Sequence, residues 1–467
     1  MTCSRGVVSL WVVGCVIACL PVGAAAEGES LRLLFWQPQD IVDGQNVHCA
    51  AQPVAKEAKT VLLRPTATQE TLWYMPTDAV RVGPEVRVYY QRVEKGQAKY
   101  EDQRTFCLGI LRGREFVVPE LGLYPQAWDG PHNVVLQRSP HKPTWGGFNV
   151  FQIVRGGDDG FHLLYWDQPP EGPAGAMLAT SPDGIHWTKD DRGAVFTEHN
   201  DAYTLVRRGA GDEYLLYQTR LLPWPDKPFP DNLDKMRRVI SVRRSKDLVS
   251  WSEQEVILQP DAQDEPTTEF YLLKVFRYAD RYVGLLMKYY ADPNLPGRHS
   301  AIVRTELVLS KDGLVWQRPY RDTDLGVWTY ANPFDYEGSL ALVAHDERCL
   351  TLFPMRRDGF ACVGTDGQGS FCTLPFVMPQ DDLLLNADCR NGTVAVELLD
   401  EHGVGIKGFE ADGCRFEATN DSELPLGWHN APADRHAGQT VRLRFVLDRA
   451  RVWSVTARPP EQGGRRD

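Results

Sequence analysis

Ser181-Pro-Asp183-Gly-Ile-His-Trp187, Ser245-Lys-Asp247-Leu-Val-Ser-Trp251 and Ser310-Lys-Asp312-Gly-Leu-Val-Trp316 are copies of one heptapeptide, spaced by 64 and then 65 residues. Such spacing indicates an array of equivalent supersecondary units. Within each copy Asp bonds its own backbone and Gly supplies positive φ, so Asp-Gly between strand-like runs is a tight hairpin turn. The Trp opens the outgoing strand with a large apolar face for packing between neighbouring sheets.

Working outward, each copy follows an aromatic-apolar run: Phe161-His-Leu-Leu-Tyr-Trp166, Tyr214-Leu-Leu-Tyr217 and Tyr282-Val-Gly-Leu-Leu286. Each unit therefore reads as several short antiparallel strands, the make-up of one propeller blade. Two eroded units flank the clear three. Val86–Gln91, Phe106–Leu111 and Gly113–Phe116 form one; Ser339–Val343, Cys349–Phe353 and Phe360–Val363 form the other. Five units between about residue 55 and residue 378 define an all-β chain with a five-bladed β-propeller, the rival being similar hairpins in an ordinary β-sandwich. From Leu383 the repeat stops. Alternating strands at Leu383–Leu385, Thr393–Leu399 and Val441–Leu447 predict a small C-terminal β-sandwich. The expected division is 27–378 for the propeller and 379–467 for the sandwich with a short tail.

A chain of 467 residues fits two domains, and 43% apolar with 24% charged residues is ordinary for a globular protein. The formal charge of −11 argues against a nucleic-acid partner, which demands clustered Lys and Arg. Arg5, the apolar run Gly6 to Ala18 and the small residues before Glu27 read as an export signal over 1–26. Val16-Ile-Ala-Cys19 is a competing lipobox-like reading, which would anchor Cys19 through lipid. The chain is thus expected to be exported, periplasmic or extracellular, and no later stretch is long and apolar enough to span a bilayer. Ten cysteines fall to seven on cleavage. Cys362 with Cys372, or Cys389 with Cys414, are candidate disulfides, and the spacings lack the short Cys-x-x-Cys pairs of zinc sites. No cofactor is called for; a structural calcium is left open.

A propeller gathers the first strand of each blade around one axis, so polar residues at those strand starts converge on one pocket. Asp201 and Glu269 each lie 13 residues before the Tyr that opens the next strand, Tyr214 and Tyr282. Equal register in neighbouring blades puts both carboxylates at one axial end. Paired carboxylates about 5 to 9.5 Å apart are what glycoside hydrolysis requires: one protonates the leaving oxygen, the other serves as base or nucleophile. The bland alternative is that each caps backbone amides at a strand end. Glu70, before the first blade, is a third candidate. Asp129, Asn133, Asn149, His199, Asn332 and Asp335 occupy blade starts and are candidate substrate-binding residues, with turn roles as the alternative. Arg220, Lys288, Arg356 and Arg357 would favour an anionic sugar if they faced inward. Trp145, Trp166, Trp224, Trp328 and Tyr330 fall outside the repeated turn and suit either sugar faces or packing between blades.

The blades with their Ser-x-Asp-Gly-x-x-Trp turns resemble the five-bladed propeller glycosidases of families 43 and 32, the arabinanase and invertase-like superfamily, in which family 32 adds a C-terminal β-sandwich. The turn is shared with sialidases and other propellers. The resemblance implies a secreted glycosidase acting on an oligo- or polysaccharide, with Glu269 as acid and Asp201 or Glu70 as its partner. The chain lacks the Trp-Met-Asn-Asp-Pro-Asn-Gly, Arg-Asp-Pro and Glu-Cys blocks of typical family 32 enzymes, so it is a divergent cousin whose sugar is not implied. A non-catalytic carbohydrate-binding propeller and a cell-envelope interaction scaffold are the competing readings.

Overall fold

The structure, a computed structural model, describes residues 31–65, 71–95, 102–124, 132–139, 148–155, 160–168, 171–198, 201–209, 213–227, 233, 235–290, 302–428 and 433–458. Among them there is no α-helix, and no helix long and apolar enough to cross a membrane. The chain divides into two compact units, Cys49–Cys362 and a second built from residues up to His48 together with Val363 onward.

The first unit is the five-bladed propeller. Blade 1 runs Thr71–Val82, Glu85–Lys95, Asp102–Arg112 and Glu115–Val117, with Val134–Gln137 beside its third strand. Blade 2 is Asn149–Arg155, Phe161–Asp167, Gly175–Ser181 and Thr188–Lys189. Blade 3 is Tyr203–Arg208, Glu213–Pro223, Met236–Ser245 and Glu255–Leu258. Blade 4 is Thr268–Tyr278, Arg281–Tyr290 and Ile302–Ser310, with an isolated bridge from Leu309 to Gln317 after the turn. Blade 5 takes Phe334–Tyr336, Ser339–Asp346 and Cys349–Met355, and its outermost strand is Thr60–Leu63 from the start of the unit.

The repeated heptapeptide forms the same turn three times. In each, the Ser Oγ accepts the backbone N–H three residues on: Gly184 at 2.8 Å, Leu248 at 2.9 Å and Gly313 at 2.9 Å. The Asp Oδ1 accepts two more, from Ile185 and His186, Val249 and Ser250, and Leu314 and Val315. All donors and acceptors lie within one heptapeptide, which is why the turn is recognisable from sequence. The backbone N–H groups of Ser250 and then Val249 hold the Asp247 carboxyl down at about 2.

Hydrogen bonds link each blade to the next or to the segment leading into it. Thr77 donates to the Val150 carbonyl (2.8 Å), and Leu205 N–H donates to Gln152 Oε1 (3.0 Å). Thr204 donates to the Leu273 carbonyl (2.6 Å), and Thr305 to the Val327 carbonyl. Asn332 N–H donates to Asp78 Oδ1 (3.2 Å), closing the ring from blade 5 to blade 1. Between these joints the blades pack through apolar clusters such as Leu215, Tyr217, Ile240, Leu273 and Leu286.

The second unit is built on the 18-residue strand Thr440–Ala457, which pairs antiparallel with Arg32–Leu34, Phe376–Val377, Leu383–Asp388 and Thr393–Asp400 in a ten-stranded sheet. Phe371 stacks on Phe445 with centroids 4.7 Å apart, and Phe35 meets both edge-on. The boundary expected at 378/379 therefore lies at 362/363 instead, and residues 31–48 belong with this sheet. The physical reason is pairing across the sequence: Arg32 sits opposite Thr456, and Val363 opposite Val452. Cys49, Cys107, Cys349, Cys362, Cys372, Cys389 and Cys414 are all free thiols, so neither candidate disulfide forms.

Candidate functional site

Asp201 sits in a bend two residues before the inner strand of blade 3 and is half-buried. Its Oδ2 accepts a hydrogen bond from the side-chain amide of Asn149, the first residue of the inner strand of blade 2. The bend before one inner strand thus meets the first residue of its neighbour.

Glu269 is the second residue of the inner strand of blade 4 and is fully buried. Its Oε1 accepts from Lys227 Nζ at 2.8 Å; its Oε2 accepts from the Arg238 backbone N–H and Nη1, both at 2.9 Å. Lys227 and Arg238 side chains are 3% and 4% exposed, so the cluster is a desolvated ion network. A proton donor to a leaving group needs a proton on one of those occupied oxygens. The arrangement makes Glu269 a holder of two cations.

An aromatic wall runs from one carboxylate to the other. Burial pushes the Tyr330 hydroxyl far above its usual value, and Asp201 is among the charges that act on it. Tyr330 Oη accepts from Trp328 Nε1 at 3.0 Å, and Trp328 meets Tyr271 edge-on at 6.5 Å. Tyr271 stacks on Tyr289 at 6.3 Å, and the Arg238 guanidinium lies 4.7 Å from the centre of the Tyr289 ring. Trp224 packs against Tyr289 at the far end. Tyr271, Trp328 and Trp224 are only partly buried, which leaves aromatic surface for a ligand.

The other candidates separate. Asn332 lies at the axis through its backbone contact with Asp78, and its amide oxygen is buried without a hydrogen bond. Asn133 belongs to blade 1: its amide donates to Tyr90 Oη (2.7 Å) and the Leu108 carbonyl (2.8 Å). Asp335 is on the outside, 65% exposed and 3.7 Å from Arg357. Glu70, Asp129, His199 and Trp145 lie outside the described residues. Trp166 is buried in the apolar cluster of blades 2 and 3. Lys288 is bound by Glu306 (3.1 Å) and the Arg321 carbonyl (2.6 Å), and Arg220 donates to the Gln254 carbonyl.

Two axial residues were not singled out by sequence. Asp78, in the middle of the blade 1 inner strand, accepts from the backbone N–H of Ala79, Ile153 and Asn332 and so ties blades 5, 1 and 2 together. Lys274, on the blade 4 inner strand, is fully buried and its Nζ has no hydrogen-bond partner. Burial pulls its ammonium down to about 8 against the opposing pull of Asp78, whose carboxyl burial pushes up. Among the described residues no three or more His, Cys, Asp or Glu side chains are grouped to hold a metal.

No protein-family model and no curated protein matches the chain. Solved structures similar in fold include a protein described among mannoside phosphorylases and hydrolases of family GH130 that target β-1,2-mannosidic linkages in Candida mannan. It is 12% identical, over 68% of this chain and 94% of that one, with a TM-score of 0.44. A Bombyx mori GH32 β-fructofuranosidase is 11% identical over 83% and 91%, with a TM-score of 0.42. A β-1,2-mannobiose phosphorylase from Listeria innocua is 11% identical over 67% and 97%, with a TM-score of 0.41. Likeness at this level leaves the chemistry to be read from the residues of this chain.

Proposed function

We propose that the propeller acts on a glycosidic bond of an oligo- or polysaccharide, with Asp201 as the carboxylate that meets the substrate. The observation that carries this is a half-buried carboxylate, fixed by Asn149, whose chain neighbour Ala202 shares an apolar cluster with the partly exposed faces of Trp328 and Tyr271. Such faces suit the apolar side of a pyranose ring, while the carboxylate meets the polar edge or the scissile oxygen. Glu269 acts as a positioning residue that fixes Arg238 under the Tyr289 end of the wall. Glu70, next to Thr71 in sequence, is the candidate for the second carboxyl group.

A binding propeller without turnover is the second reading, and the full occupation of both Glu269 oxygens is what favours it. A screen of glycans for release of reducing ends, run on the wild type and on Asp201→Asn, separates the two. The enzyme reading expects turnover of at least one glycan and a loss of about 100-fold or more in Asp201→Asn with binding retained. Undiminished turnover in that variant removes Asp201 from the chemistry.

A further inference from the structure

Arg237 is a cation with no carboxylate bonded to it among the described residues. It is the second residue of the third strand of blade 3, and its Nε and Nη2 both donate to the Thr268 carbonyl, at 3.2 and 2.9 Å. Its guanidinium lies over Trp224, 4.5 Å from the ring centroid. Among the described residues no carboxylate pairs with it: Glu269 and Asp264, whose charges act on it, are already bound, the first by Lys227 and Arg238 and the second by Arg318 and Arg321. Burial accordingly draws the Arg237 guanidinium below its ordinary value. A half-desolvated cation held only by a carbonyl and a ring face is costly, whereas a surface arginine simply stays in water.

Register places Arg237 at the axial level of Asp201, and its ring contact links it to the aromatic wall. Tyr203 pairs with Gln218, and Gln218 with Ser241. Arg237 precedes Ser241 on its strand, so it projects past Tyr203 toward the Asp201 end of the blade. Trp224 beneath it packs against Tyr289, at the end of the aromatic wall. A stacked guanidinium keeps its planar fork for two-pronged contact with a carboxylate or sulfate, which a lysine cannot match. The net charge of −11 opposes anions at long range, so selection of one requires a short-range device of this kind.

We propose that the ligand of this cleft is an oligosaccharide carrying an anionic group, a uronate carboxylate or a sulfate ester, held by Arg237 over Trp224. The proposal rests on the reading of the cleft as a glycan site and adds the charge of the glycan. The test is calorimetric titration of the Asp201→Asn protein with trigalacturonate, its fully methyl-esterified form and a sulfated carrageenan tetrasaccharide. At least one charged probe is expected to bind about tenfold or more tightly than the neutral ester. Which of the two charged probes binds distinguishes carboxylate from sulfate. Arg237→Gln is expected to erase the preference for charge, and Arg237→Lys to keep part of it. Equal affinity for charged and esterified probes, no binding of either charged probe, or an undiminished preference in Arg237→Gln overturns the proposal. Cleavage of a neutral glycan by the wild type alongside those results leaves the glycosidase reading standing. Charged binding with no turnover of any glycan removes the glycosidase reading alone.

Discussion

Asp201 and Glu269 lie near the starts of neighbouring inner strands, one in the bend before its strand and the other inside it, and they have opposite environments. Asp201 meets an amide and is half open, whereas Glu269 is closed in by an ammonium and a guanidinium. Removing one member of a buried ion network leaves its partners charged and desolvated. Glu269→Gln is therefore expected to lower stability by about 3–5 kcal/mol, read by urea unfolding, with Lys227 and Arg238 as the stranded charges. Asp201→Asn keeps an oxygen for the Asn149 amide and is expected to shift stability by less than about 0.5 kcal/mol. If Glu269→Gln unfolds like the wild type yet loses turnover, Glu269 belongs to the chemistry after all. Counting 13 residues back from Tyr214 and Tyr282 reaches the neighbourhood of both inner-strand starts, but a bulge between Phe270 and Leu272 shifts the blade 4 register, so Glu269 falls inside its strand and Asp201 before its own. The partners were illegible, since Lys227 and Arg238 approach Glu269 from the segment after the second strand and from the third strand of blade 3, at no fixed offset from it. Arg237 went unnoticed for the same reason.

The repeated turn shows what its fourth position decides. Gly184 and Gly313 have positive φ, and a Cβ on either would lie 2.5 or 2.8 Å from the hydroxyl of Tyr89 or Tyr217. Those tyrosines come from the second strands of blades 1 and 3 and donate to the same glycines' carbonyls, at 3.0 and 2.8 Å. The turn of each of these blades is thus stapled to the blade before it. In the middle copy Leu248 takes the position with φ 63° and packs among Leu164, Trp166 and Leu216, so an apolar contact replaces the hydroxyl. Gly184→Ala is expected to destabilise through both strain and the Tyr89 clash, while Tyr89→Phe alone costs about 1 kcal/mol for its hydrogen bond. The double variant should lose less than the sum, by about 0.5 kcal/mol or more in a denaturation cycle. Strict additivity would mean that the hydroxyl does not decide the glycine. The turn was legible because it is closed within seven residues; the closure of blade 5 was not. Thr60–Leu63 reaches its partner Cys349–Met355 across almost the whole propeller, and no local pattern marks that pairing.

Across the whole propeller, the blades share one axis and one unusual pair of charges on it. Asp78 gathers backbone N–H groups from blades 1, 2 and 5, and Lys274 brings a buried ammonium that acts on it, from blade 4. Four of the five blades are therefore coupled through two side chains, in addition to the chain of hydrogen bonds from blade to blade. Lys274 makes the coupling pH-sensitive, because its ammonium is held down at about 8 while an unfolded lysine titrates near 10.4. Between those values the unfolded chain binds more protons than the folded one, so this residue's contribution to unfolding free energy rises with pH. Below about 8 both states hold the proton and the burden of the buried charge is constant. Lys274→Met fills similar volume without the charge and lacks this dependence. The stability of the wild type relative to Lys274→Met is expected to climb by about 2 kcal/mol from pH 8 to pH 10, at up to about 1.4 kcal/mol per pH unit. Comparing the two proteins at each pH cancels the titration of every other lysine and tyrosine, whose contributions are common to both. Parallel stability curves over that window would show that Lys274 titrates as it does in water, and that the axis is held by the backbone hydrogen bonds to Asp78 alone.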